Sequence, residues 1–273
     1  MAGRPDSRTA GLSVLLWLLA ITARAQVAPN RSTLYLHPTD VSDARALWVN
    51  PAGLGRVQEA SVHLDLTVGD PGAHGRLRQV TLGVNSRGLS FGYQRDVFDG
   101  GARGGTYRVG FAAGTAGLAV GGAAALYRGG GSSSGWDLGV VYEGMPVLAI
   151  GGVIENIGQP RVRDSTLRIT YVPSATLQLL GRRLAVSALG RLTPDAVQGY
   201  AFAARATLRQ GAKLPLGLTA RLDTDGSFHR AGLAFGFSIG AQDAAGLVAT
   251  TPGDVGRIDA MSLYGVSTRR FTR

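Results

Sequence analysis

Hydrophobic and polar positions alternate along most of this chain. In the segment Ser227 to Gly240, Leu233, Phe235, Phe237 and Ile239 fall on one side, and Gly232, Ala234, Gly236, Ser238, Gly240 and Arg230 on the other. A period of two belongs to a β-strand. One face of this strand is large and apolar, the other small or polar. The pattern recurs around 62–68, 79–85, 89–94, 106–111, 118–126, 136–143, 148–154, 167–171, 184–191, 200–208, 214–223, 246–251 and 261–268. With 227–240 that makes 14 segments, an even number as bacterial outer-membrane barrels require. From Ala60 to Arg273 is 214 residues, about 15 per strand and turn. The expected fold is all-β: a transmembrane antiparallel up-and-down β-barrel of about 14 strands with a short N-terminal plug.

The alternative is a soluble sandwich, with the bulky face turned inward. Glycines 110, 121, 139 and 236 argue against it, because glycine weakens a solvent-facing strand for no return. In a plugged lumen the same glycines leave room for the plug. The barrel assignment turns the apolar face to lipid. It places Arg108, Asp137, Glu143, Arg168, Arg191, Arg205, Arg221 and Arg230 as candidate lumen-lining residues. Tyr107, Tyr127, Trp136, Tyr142, Tyr171, Tyr200 and Tyr264 lie near strand ends, as an interfacial aromatic girdle would.

The N-terminal part departs from this pattern. Arg4 and Arg8 precede an apolar run from Leu12 to Thr22, and Ala23-Arg24-Ala25 is an A-x-A site. Residues 1–25 therefore read as a secretory signal, cleaved before Gln26. Residues 26–60 form a plug segment and 61–273 the barrel. Within the plug, Asp40 or Ser42 is placed to cap a short helix through Asp43, Ala44, Leu47 and Trp48 that Pro51 ends. Asn50, Pro51, Ala52, Gly53 and Leu54 then make a tight turn. Trp48 and Leu54 are costly to leave in water, so this turn is expected to pack inside the barrel.

Composition removes several classes of function. The chain has no Cys, which leaves no disulfide and no Cys-ligated metal. Its formal charge is +10, and +8 once the signal is removed, but the arginines are scattered singly without interleaved aromatics. That favours contact with anionic lipid and lipopolysaccharide over nucleic acid. Two G-x-S-x-G strings, at 88–92 and 236–240, lie inside alternating strand patterns, not at the strand-turn-helix a nucleophile elbow needs. The four His share no ligand spacing, and Lys213 has no phosphate-loop context. No catalytic residue, metal or cofactor is expected.

An export signal, the string Asn50-Pro51-Ala52-Gly53-Leu54 and a barrel of about 14 strands together resemble the outer-membrane long-chain fatty-acid transporter superfamily. The strand ending Val153-Ile154-Glu155-Asn156-Ile157-Gly158 is similar to the related type IX secretion proteins of the PorV/PorQ type. The resemblance implies a Gram-negative outer-membrane protein whose N-terminal part is a hatch inside the barrel. It implies a partner that is either a hydrophobic small molecule or an export machine. A closed scaffolding barrel without transport is the competing expectation.

Overall fold

A computed structural model of the chain describes residue 30 and residues 33–271, apart from 70, 72–74, 99–102, 116, 130, 163–164, 209–211 and 253–256. The signal assigned to 1–25 and the start at Gln26 lie outside the described residues. Among the described residues, sixteen strands follow one short helix, α1 (Ala46–Val49), and a 3-10 turn at Pro51–Gly55. The strands are β1 (Glu59–Gly69), β2 (Arg76–Ser86), β3 (Leu89–Val97), β4 (Arg103–Thr115), β5 (Leu118–Arg128), β6 (Ser132–Met145), β7 (Leu148–Ile157) and β8 (Arg161–Val162). They continue as β9 (Ser165–Thr166), β10 (Thr170–Leu179), β11 (Leu184–Leu192), β12 (Val197–Leu208), β13 (Leu216–Asp225), β14 (Arg230–Gly240), β15 (Asp243–Pro252) and β16 (Ala260–Arg270). All but β8 and β9 form one closed antiparallel barrel of 14 strands. It is sealed where β1 pairs with β16, from Glu59 opposite Arg270 to Gly69 opposite Ala260. Closure leaves no unpaired edge, which hydrocarbon would not tolerate.

The alternation sorts as expected for a barrel in lipid. On β1, Val62, Leu64 and Leu66 face outward, while Ser61, His63, Asp65 and Thr67 are buried inside. On β14, Phe235, Phe237 and Ile239 are outward and Ala234 is buried. One end of the barrel carries the two-residue connections 87–88, 146–147 and 241–242, together with the start of β1 and the end of β16. The other end carries the 158–169 connection, which contains the β8–β9 hairpin. Tight turns mark the periplasmic rim and longer loops the extracellular one.

Four expectations need correction. The eighth barrel strand runs Thr170–Leu179, beyond the expected 167–171. Leu167 belongs to the hairpin connection instead, its N–H bonded to Pro160 O at 2.9 Å. Pro173 inside β10 blurs the strand signal because it has no N–H to give the ladder. Tyr127 and Tyr264 are not girdle residues. They share the inward phase of Ala125 and Val266 and are buried, whereas Tyr107, Trp136, Tyr142 and Tyr171 are exposed outside. The expected helix shrinks to the four residues of α1, and neither Asp40 nor Ser42 caps it. Asp43 accepts from the Arg45 backbone N–H and from its guanidinium, and so closes the turn before the helix starts. The third-last strand begins at Arg230, after a turn built on Asp225, whose carboxylate accepts from the Ser227 and His229 N–H groups.

Candidate functional site

The site is the seat of the plug within the wall. Residues 33–56 cross the lumen, and Leu47, Asn50, Ala52 and Leu54 are fully buried. Asn50 is its anchor. Its Oδ1 accepts from Ala52 N–H at 3.1 Å, capping the 3-10 turn. Its Nδ2 donates to Pro38 O at 3.2 Å, and to the wall carbonyls of Val140 and Gly152 at 3.4 Å. Pro51 stands at the first turn position, where its missing N–H removes nothing.

The wall has glycine where the plug touches it. A Cβ on Gly121 would stand 2.6 Å from the Pro51 carbonyl, and one on Gly139 would overlap Asn50 Oδ1. Gly110 faces Leu47 in the same way, at 2.5 Å. Leu47, Leu54, Val41 and Ala46 pack with wall Ala123 in one cluster. Burying a leucine side chain is worth about 1.5–3 kcal/mol, so Leu47 and Leu54 alone hold the plug firmly.

Charged and polar groups complete the seat. Arg108 donates to Leu47 O at 2.8 Å and pairs with Asp137. Arg221 donates to Leu36 O at 2.8 Å and binds Asp223 at 2.7 Å. Arg205 pairs with Asp40 at 2.8 Å. Thr39 Oγ1 and Thr176 Oγ1 share a hydrogen bond at 2.8 Å, and Ala44 N–H donates to Ser61 Oγ at 2.9 Å. Tyr35 stacks on Tyr264 with ring centres 5.4 Å apart. At the periplasmic end Arg56 donates to Thr39 O and Val41 O and pairs with Glu143.

Of the eight charged candidates, Arg108, Asp137, Arg205, Arg221 and Glu143 thus meet the plug or a group that holds it. Arg191 lies half-exposed, 3.7 Å from Asp223. Arg168 lies in the 158–169 connection, exposed and paired with Asp195 at 3.0 Å. Arg230 is exposed at the start of β14. Sequence reasoning did not single out Arg45, Arg56, Asp40 or Asn156 as site residues. Arg221 with Asp223 carried a usable signal: two residues apart on a strand, they share a face. Arg56 carried none, because its partners lie far along the chain.

Between plug and wall, toward the periplasmic end, is a polar cavity of about 360 Å3. Tyr35, His37, Asp40 and Arg45 line it from the plug, and Glu59, Arg205 and Arg270 from the wall. Neither ring nitrogen of His37 has a protein partner. Burial first, then Arg221 and Arg191, push His37 down to about 3. A freed plug would return it toward about 6.5. Seating is therefore at full strength above that value and weakens as the pH falls toward 3.

Asn50→Ala deletes the cap and the three carbonyl contacts. Loss of such a cap costs about 0.5–2 kcal/mol, and buried carbonyls lose partners besides. The expected outcome is a plug that proteases cleave faster while the barrel stays intact. An unchanged rate of plug cleavage would show that Asn50 is not its anchor.

No protein-family model and no curated protein matches the chain. Solved structures do. The CymD monoaromatic hydrocarbon channel aligns with a TM-score of 0.58 at 12% identity, covering 91% of this chain and 98% of its own. The P. putida toluene transporter TodX aligns with a TM-score of 0.55 at 11% identity, covering 84% and 94%. Identities this low speak for the fold alone. That fold is a closed antiparallel β-barrel, the architecture that the alternation of the strands predicts.

Proposed function

We propose that this chain is an outer-membrane channel for small hydrophobic molecules, closed at rest by residues 33–56. The observation that carries the reading is a pair of apolar surfaces on the two sides of the wall near Pro173. Inside, Val153, Val172, Leu189 and Ala201 form a buried apolar cluster. Outside, an apolar groove of about 700 Å3 lies between Val140, Ile150, Pro173, Ala175, Ala188 and Phe202. Between the two, the β10–β11 pairing passes from Tyr171–Leu192 directly to Ser174–Leu189, skipping the proline. A molecule without hydrogen-bonding groups loses nothing by moving between two apolar surfaces, and the β10–β11 ladder is interrupted there. The fold shared with two hydrocarbon channels supports the same reading. The polar cavity under the plug is then the periplasmic vestibule.

The reading is tested in vesicles with a lipopolysaccharide outer leaflet, which slows passive entry of apolar solutes. Wild-type protein should speed equilibration of a monoaromatic hydrocarbon, and Ala188→Trp, which fills the outer groove, should abolish most of that gain. Equilibration no faster than in protein-free vesicles would favour a closed scaffold.

A second reading is a membrane subunit of an export system of the PorV/PorQ type. It rests on the likeness of the strand end Val153-Ile154-Glu155-Asn156-Ile157-Gly158 to those proteins. Co-purification of a periplasmic or exported partner would support it. In either reading the mature chain starts at Gln26 in the outer membrane, among lipid and lipopolysaccharide. N-terminal sequencing of the outer-membrane fraction checks this, and recovery from the soluble periplasm would contradict it.

A further inference from the structure

The hairpin at the extracellular rim reaches into the barrel mouth. Val162 of β8 is buried against Ala125 and Tyr127 of the inner wall, and Leu167 packs on the same cluster. Next to it, Asn156 Nδ2 donates to Arg168 O at 3.2 Å. Asn156 sits at φ 61°, a left-handed conformation that Asn tolerates better than most residues. That turn aims its backbone N–H at Asp137 Oδ1, 2.9 Å away. Asp137 Oδ2 accepts from Arg108 Nη2 at 2.5 Å, and Arg108 Nη1 donates to Leu47 O in the plug. The guanidinium also lies over the Trp48 ring, 5.4 Å from its centre. Asp137 stands where the β6–β7 register shifts, between Trp136 and Leu138. Asp137 and Arg108 are 5% and 9% exposed, so the ion pair is shielded from water.

From this continuous path we infer that the extracellular hairpin is coupled to the plug, with Asp137 as the positioning residue between them. A buried charge left without its partner is strongly unfavourable. When the hairpin leaves, Arg168 O withdraws from Asn156, the left-handed turn loses its outer support, and Asp137 loses a donor. Asp137 is then less firmly placed, its hold on Arg108 over Leu47 O slackens, and the plug loosens. Displacement at the outer mouth, whatever molecule causes it, is read at the plug. The inference rests on the plug closing the channel, but not on what the channel passes.

The chain has no cysteine, so Ala44→Cys, at a buried plug position with a small side chain, is a single reporter of plug position. Its labelling by a membrane-impermeant maleimide, added outside intact cells, gives a rate. Val162→Asp, which drives the hairpin into water, should raise that rate roughly 5- to 150-fold, the usual range for coupled sites. Asp137→Asn should raise it with the hairpin still in place. Asn156→Gly removes the bond to Arg168 O, so it should raise the rate by itself, and Val162→Asp should add little in that background. The inference is overturned if Val162→Asp or Asp137→Asn leaves the rate unchanged, or if Val162→Asp acts equally in the Asn156→Gly background. Folding is checked by the heat-dependent gel shift, and Val162→Ser replaces Val162→Asp if the latter does not fold. The labelling rates need no cargo, so they stand or fall separately from the hydrocarbon assay.

Discussion

Deleting residues 27–55 should leave a folded barrel with a single-channel conductance several-fold above that of the intact chain. The wall supports the first half of this expectation. All 14 barrel strands pair with one another in a closed order, and no ladder passes through the plug. The seat supports the second half. Gly121 and Gly139 face the plug with no side chain of their own, so removing it opens space in the lumen that the wall cannot refill. Arg108, Arg205 and Arg221 would lose Leu47 O, Asp40 and Leu36 O as partners. Water entering the lumen would solvate them, and the two that keep Asp137 and Asp223 remain paired. The loss of plug contacts is therefore repaid largely by hydration, and the barrel survives. Planar-bilayer recordings read the conductance, and heat-dependent gel mobility reads folding. A folded deletion variant that conducts no better than the intact chain would show that the hairpin and the wall's own side chains close the lumen. The scaffold reading would then be the better one.

The barrel was legible in the sequence because its physics is local. Each strand must show lipid a bulky residue and the lumen a small or polar one, and that requirement is written every second position. The exceptions are residues whose partners lie elsewhere. Tyr264 reads as a girdle residue by its type and its place near a strand end, but its phase turns it inward onto Tyr35. Pro173 weakens the strand signal at the very place where the structure thins its ladder. The plug was visible as a turn, because Asn-Pro and Ala-Gly have strong backbone preferences. Its seat was only half visible. The glycines of the wall could be read as space, but nothing local tells which of them meets Asn50 and which meets Leu47. The relay through Asn156 was invisible for the same reason. Its members, Leu47, Arg108, Asp137, Asn156 and Arg168, are brought together only by barrel closure and strand register.

The lipid face gives the other large effect. Phe235→Arg should sharply reduce the fraction of chain that folds into liposomes, whereas Ser238→Asn should fold nearly as well as wild type. Phe235 lies at the middle of β14, 54% exposed on the outer wall, with Phe237 and Ile239 beyond it on the same face. Its cross-strand neighbours are Ala220 and Ala249, which offer an arginine no carboxylate. An arginine at the bilayer midplane costs about 2–4 kcal/mol on such a face. Its guanidinium would have to reach for a headgroup from near the centre of the strand. Ser238 has the opposite phase and lines the polar cavity above the periplasmic rim, where an added amide finds water. Measured as the heat-resistant folded fraction, the two substitutions should separate clearly. If Ser238→Asn blocks folding while Phe235→Arg does not, the two faces of the wall are interchanged, and the channel, plug and relay fail together.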